Sequence, residues 1–141
     1  MKIGTLCSRN VCVSRLGAAL ADAVESMSKH HVGAIVVLDR GRPVGIVTDR
    51  DVVCAQLDPP RDLFCMAVED AMTSDVLTLN ESCEIADAVA AMSKRGVRRA
   101  PVVDEAGSLV GIVSMGDLLS ALAGDLSLLA GLIKAQPAHE A

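Results

Sequence analysis

Residues 21–51 read ADAVESMSKHHVGAIVVLDRGRPVGIVTDRD, and residues 86–117 read ADAVAAMSKRGVRRAPVVDEAGSLVGIVSMGD. Laid over one another, with Ala106 as a single extra residue in the second stretch, they agree at 16 of 31 positions. One segment is therefore written twice, at a period of about 65 residues. That period is too long for a solenoid unit and too short for two ordinary domains. Each copy has to bury an apolar face against the other, and 141 residues suffice for one domain made of two half-units.

Each copy reads strand, helix, strand, turn, strand, helix. Val11–Val13 and Val76–Leu79 are short extended runs. Apolar side chains at i, i+4 and i+7 predict helices through Leu20, Val24 and Met27, and through Ile85, Val89 and Met92. Rows of small residues (Ala19, Ala23 and Ser26; Ala88 and Ala91) run beside these stripes. Gly96 is a natural helix stop, whereas His31 at the equivalent place takes a left-handed backbone less comfortably. Gly33–Leu38 and Ala100–Val103 are β-branched strands that turn at Gly41 and Gly107 into Val44–Val47 and Val110–Val113, giving two hairpins. Second helices begin near Asp49 and Met115, and Asp58-Pro59-Pro60-Arg61 breaks the chain between the copies. The repeats thus take in about residues 5–57 and 66–123. Gly124 is expected to end the last repeat helix, 124–136 to form an additional apolar helix, and 137–141 to be a loose tail.

Bulk composition narrows the function classes. Half of the residues are apolar, yet Trp and Tyr are absent and Phe64 is the one aromatic, so the core is aliphatic. A mean hydropathy of +0.42 predicts apolar surface buried between subunits. Charged or polar residues interrupt every apolar run before 18 residues, which argues against a membrane span. The start, MKIGTLCSRN, lacks the apolar core of a signal peptide. Five cysteines without C-x-x-C spacing read as reduced thiols in a cytoplasmic protein. A net charge of −5 and the lack of stacking aromatics argue against nucleic acid as a partner.

The part copied most faithfully closes each repeat: Gly45-Ile46-Val47-Thr48-Asp49-Arg50-Asp51 and Gly111-Ile112-Val113-Ser114-Met115-Gly116-Asp117. Each places a hydroxyl and a carboxylate three residues apart where a strand becomes a helix. That spacing is close to a capping box. Capping alone leaves the glycine three residues before each hydroxyl unexplained, since a strand glycine often marks close approach by something else. The same corners suit a ligand: first-turn N–H groups and the helix dipole attract phosphate, and a carboxylate accepts two hydrogen bonds from a vicinal diol such as ribose. Capping and ligand binding are compatible, because the carboxylate has two oxygens.

The paired pattern resembles tandem cystathionine-β-synthase-type (CBS) domains. Val68-Glu69-Asp70-Ala71-Met72-Thr73-Ser74-Asp75-Val76 looks like the segment that opens such a domain, and Arg99-Ala100-Pro101-Val102-Val103-Asp104 resembles its central strand. The likeness covers about residues 5–123. The first copy departs from it: no Met-Thr precedes Val11, and Val36 stands where the second copy has Pro101. The resemblance implies an α/β (α+β) fold of two pseudo-symmetric β-α-β-β-α repeats packed through their sheets, with two clefts between them. It implies an adenosine-containing ligand of the AMP, ADP, ATP, NAD or S-adenosylmethionine class, held as a regulatory ligand rather than a catalytic cofactor. By the family pattern Thr48 and Asp51, and Ser114 and Asp117, hold ribose and the first phosphate. Adenine is then expected among Val11–Val13 with Ala34 and Ile35, or among Val76–Thr78 with Ala100 and Pro101, held by aliphatic packing and backbone hydrogen bonds.

Other residues divide between bland and functional readings. Arg50, Arg98 and Arg99 are either solvated charges or phosphate contacts. His30 and His31 have no carboxylate or Cys partner at ligand spacing, so no metal is expected. Walker A, G-x-G-x-x-G and H-E-x-x-H patterns are missing, and no base stands beside a nucleophile, so an enzyme is not expected. The reading is a stand-alone module that binds an adenine nucleotide and signals by conformational change to a regulated protein of unknown identity. The alternatives are an interaction module without a physiological ligand and, less favoured, a nucleotide-acting enzyme. A homodimer is expected, because packing through the sheets leaves Val52, Val53 and Ala55, and Leu118, Leu119, Ala121 and Leu122, on outer helices. CBS-like modules commonly pair in this way. The competing possibility is that Asp125–Lys134 folds back over that face within one chain.

Overall fold

The structure, a computed structural model, describes residues 1–135; the expected tail at 137–141 lies outside the described residues. After a short helix α1 (Ile3–Leu6), the first repeat runs β1 (Val13–Arg15), α2 (Leu20–His30), β2 (Ala34–Asp39), β3 (Arg42–Thr48) and α3 (Asp49–Ala55). The second runs β4 (Leu79–Asn80), α4 (Ile85–Arg95), β5 (Arg99–Val103), β6 (Leu109–Ser114) and α5 (Met115–Ala135). Each repeat makes a three-stranded sheet, ordered β1-β2-β3 or β4-β5-β6. The first pair of strands is parallel and the second antiparallel in both. The opening strands lie two or three residues later than the apolar runs suggest, since ladder pairing starts at Val13 and at Leu79.

Two local expectations change. His31 takes the left-handed conformation (φ 53°, ψ 44°) that Gly96 takes (φ 67°, ψ 32°), and both close their helices by donating to carbonyls of the last turn. The helix boundary is the same in both repeats, and a histidine bears the backbone strain in one. The buried stripes also differ from the apolar pattern. Leu20, Ala23 and Met27 face the first core, and Ala88 and Met92 the second, while Val24 is half-buried and Val89 exposed. Small residues lie inside because helix and sheet approach closely there.

The two cores are completed crosswise. Ile3, fully buried, packs with Leu79, Ala88, Met92, Ala100, Val102, Val113 and Leu118 of the second repeat. Met66 and Val68, which precede the second repeat, pack with Leu20, Met27, Ile35 and Val47 of the first. Each lead-in segment then adds a bridge to the opposite sheet. Ser8 and Ile112 exchange two backbone hydrogen bonds of 2.9 Å, and Thr73 and Ile46 exchange bonds of 2.9 and 3.1 Å. Neither repeat closes its core alone.

That crossing accounts for the paired glycines. A Cβ on Gly111 would lie 2.6 Å from the Ser8 carbonyl oxygen and 2.8 Å from Cys7 Sγ; one on Gly45 would lie 2.5 Å from Met72 Sδ and 3.1 Å from the Thr73 carbonyl oxygen. What approaches these glycines is the chain's own lead-in segment.

The end of the chain also corrects expectation. α5 runs unbroken from Met115 to Ala135 through Gly124, so among the described residues 124–135 continue the repeat helix, and they stand exposed rather than folded back over the molecule. Leu118 is 6% exposed and belongs to the core of its own repeat, and Val52 is likewise buried; neither is an outer-face residue. Val53, Leu119 and Leu122 do face outward.

Candidate functional site

Both corner motifs form complete capping boxes. Thr48 Oγ1 accepts from the Asp51 N–H at 3.1 Å while the Thr48 N–H donates to Asp51 Oδ2 at 2.9 Å. Ser114 and Asp117 repeat this with the same two distances. Each box uses Oδ2; among the described residues Oδ1 has no partner and remains able to accept. The hydroxyl hydrogens of Thr48 and Ser114 are likewise uncommitted. The strand side is pinned equivalently: the Asp49 N–H donates to the Gly33 carbonyl (3.1 Å) and the Met115 N–H to that of Arg98 (2.7 Å).

The second corner opens into a cleft of about 280 Å³ between the repeats. Ser114, Asp117, Arg99 and Ile112 line it from the second repeat. From the first come Ser8, Asn10, Val11 and Cys12 of the lead-in and Val32, Gly33 and Ala34 of the strand start. The volume lies just below the roughly 300–1,000 Å³ of small-ligand clefts. The first-repeat wall is mostly apolar, with Ser8 and Asn10 as its polar members, and the other supplies a hydroxyl, a carboxylate and a guanidinium. Arg99 pairs with Ser114 across β5 and β6, and its Nη1 would be 3.7 Å from a Cβ on Gly33, so it spans the cleft toward the first repeat. It forms no ion pair among the described residues.

The structure brings part of the expected set together. Val11 and Ala34, expected about the adenine, stand with Ser114 and Asp117. Ile35 and Ala100 are fully buried in the two cores, and Pro101 is fully buried beside Ala100 in β5. Val13 is exposed and lines a different depression, with Arg15, Leu38 and Arg40. Val76 and Thr78 lead into β4 and are not among the residues lining this cleft. Arg50 and Arg98 are exposed, the former at the first corner and the latter beside Arg99. Cys12 falls within the Val11–Val13 run expected about the adenine, whereas Ser8 and Asn10 escaped the sequence reading. The signal for them was the place of Cys7-Ser8 opposite Met72-Thr73 in the repeat, which residue identity hides.

The cysteines are all free. Burial first, then the charges of Asp117 and Glu81, pushes the Cys7 thiol above its ordinary value against the opposing pull of Arg9. Burial and the neighbouring Asp87 and Glu84 do the same at Cys83. No cluster of three metal-ligating side chains occurs among the described residues.

The family model of the CBS domain matches residues 3–58 and again 68–124. This chain belongs to the CBS domain family. It is 38% identical over 122 residues to an uncharacterised 17.7 kDa protein of Acidianus ambivalens, covering 86% of this chain and 73% of that one. It is 31% identical over 120 residues to an uncharacterised protein of Methanopyrus kandleri, covering 84% of this chain and 61% of the relative's length. Among solved structures, the CBS domain pair of protein MJ0100 in complex with 5′-methylthioadenosine and S-adenosyl-L-methionine superimposes with a TM-score of 0.76 at 25% identity, covering 89% of this chain and 98% of that one. CBSX2 in complex with AMP gives 0.76 at 25% identity, covering 87% and 97%. A hexameric CBS-CP12 protein from bloom-forming cyanobacteria gives 0.74 at 28% identity, covering 84% and 66%. The CBS pair here is thus a mixed α/β fold shared with proteins that bind adenosine compounds. Inosine-5′-monophosphate dehydrogenase of Methanocaldococcus jannaschii is also 31% identical, over 101 residues that make up 19% of that enzyme.

Proposed function

We propose that this CBS pair is a regulatory module that binds an adenosine-containing ligand in the cleft at Ser114 and Asp117 and signals by a change in shape. The observation that carries this is the cleft's two-sided lining. Asp117 Oδ1 and the Ser114 hydroxyl are free for a ribose diol, the N-terminus of the long helix α5 and Arg99 favour an adjacent phosphate or carboxylate, and Val11, Cys12, Val32 and Ala34 offer an aliphatic slot for a base. AMP, 5′-methylthioadenosine and S-adenosyl-L-methionine, bound by related CBS pairs, share that adenosine core.

A ligand there touches both repeats. Its binding energy therefore favours one relative placement of the two, which is how occupancy becomes a signal to a partner protein. Thr48 and Asp51, with Arg50 beside them and Arg98 exposed on the opposite strand side, form a second corner. It sits on a helix of seven residues rather than 21, and affinities at the two corners differ. The module acts in the cytoplasm as a homodimer without catalysing a reaction, and its five thiols stay reduced there.

Mass spectrometry of compounds released from the purified protein, with thermal shifts across AMP, ADP, ATP, NAD, 5′-methylthioadenosine and S-adenosylmethionine, tests the reading. A ligand at 100 times its dissociation constant stabilises by about 2.7 kcal/mol. Absence of any released adenosine compound and of any shift across the panel refutes it.

A further inference from the structure

α5 carries an unusual outer surface. Met115, Leu119, Leu122, Leu126, Leu129 and Ile133 follow one another at steps of four, three, four, three and four, and all are exposed. Leu126, Leu129 and Ile133 are 67, 57 and 72% exposed. This is an unbroken heptad seam over the whole helix, the pattern that packs one helix against another at a shallow angle. Seam residues and the flanking Leu132 together offer roughly 250–500 Å² of apolar side chain, at the area per Leu implied by its transfer free energy. A standard interface takes about 800 Å² from each partner, so the seam alone supplies a large share of it.

By length and composition α5 also suffices to cross a membrane. Its first turns, however, are fixed to the second core through Leu118 and to the corner through the capping box. The remainder, from Leu119 to Ala135, is about 25 Å long at 1.5 Å per residue, short of the ~30 Å hydrocarbon layer. Asp125 falls near its middle, where a charge costs roughly 2.5–3.5 kcal/mol.

We infer that the occupant of this seam is α5 of a second copy, running antiparallel. This deepens the homodimer proposed above and rests on it. An antiparallel pair places Met115 against Ile133 of the partner subunit, Leu119 against the partner's Leu129 and Leu122 against the partner's Leu126, so every seam residue is covered by one register. The body-anchored half of each helix then receives the free half of the other. A parallel pair leaves the free halves as a short two-stranded stalk, and helices of that length are marginal in water. It also sets the two second repeats side by side. Residues 68–124 carry nine acidic against four basic side chains, whereas residues 3–58 carry six of each. Gly116, Ala123 and Ala130, seven residues apart beside the seam, allow close approach. Asp125 meets its own copy only at the rim, where salt screens the pair.

Disulfide trapping tests this in full-length protein with the exposed Cys54 and Cys65 changed to Ser. Leu119→Cys combined with Leu129→Cys gives a covalent dimer on mild oxidation, while each single substitution does not. Within one helix the two positions are too far apart to bridge. Trapping by either single substitution overturns the antiparallel arrangement and leaves the dimer standing. Light scattering of wild-type protein at twice 14.6 kDa is the expected mass; a monomer that persists on concentrating removes both the arrangement and the dimer. Flotation of that monomer with phospholipid vesicles assigns the seam to a membrane instead. Both positions are exposed, so the variants fold, and far-UV circular dichroism checks this.

Discussion

Replacing Gly111 with alanine probes the crossing that joins the two repeats. The new methyl would sit 2.6 Å from the Ser8 carbonyl oxygen and 2.8 Å from Cys7 Sγ. The nearest obstacle is backbone, so the lead-in segment has to move, and its two hydrogen bonds to Ile112 lengthen. Crowding of this kind costs about 1–3 kcal/mol, and each weakened hydrogen bond about 1 kcal/mol more. Reduced freedom of the unfolded chain returns about 0.4–1 kcal/mol. The net loss is about 2–4 kcal/mol, or roughly 5–12 °C in melting temperature for a domain of this size. At Gly45 the closest atom is the end of the flexible Met72 side chain, so Gly45→Ala loses less. Far-UV circular dichroism melts measure both, because a chain without Trp or Tyr gives no useful intrinsic fluorescence. A Gly111→Ala protein that melts at or above the wild-type temperature, or below Gly45→Ala in damage, refutes the account of why these glycines are there.

His31→Gly raises stability by about 0.5–1 kcal/mol, since glycine relieves the left-handed strain at the cost of more unfolded-state entropy; chemical denaturation reads it, and a loss contradicts the assigned backbone. Ile3→Ala costs about 2–4 kcal/mol although it lies outside the aligned repeats, because it empties a site in the second core; a neutral result in the same assay denies the crosswise core. Cys7 and Cys83 have raised thiol values, so less thiolate is present at neutral pH. They alkylate later than the exposed Cys54 and Cys65, and their rates continue to climb above the ordinary value of 9.0, as peptide mass spectrometry over a pH series records.

The repeat made the element order, the hairpins and both capping boxes legible, because hydrophobic period and corner spacing are local properties. The glycine in each motif was legible only as a need for space; what filled the space required the fold. Residues 3–8 and 68–73 play equivalent parts, yet Cys7-Ser8 shares no identity with Met72-Thr73, so the first lead-in was invisible to the alignment. The pairing of Val11 and Ala34 with Ser114 and Asp117 follows from that same crossing and from nothing local. Val24 and Val89 show a different failure: a helix stripe names the apolar face, but the tight approach of the sheet selects Ala23 and Ala88 for the inside. Gly124 was read as a stop on propensity, and the helix continues through it because a glycine inside a helix costs only about 1 kcal/mol.

The claim that the cleft between the repeats is an adenosine site is tested most directly by calorimetric titration of folded wild-type and Asp117→Ala protein with AMP, ATP, 5′-methylthioadenosine and S-adenosylmethionine. At least one of these binds the wild type, and Asp117→Ala weakens that binding by about 1.5–3 kcal/mol, roughly 10- to 150-fold, by removing charged hydrogen bonds to the ribose. No binding of any of them to the folded wild-type protein, or equal affinity in the variant, contradicts it.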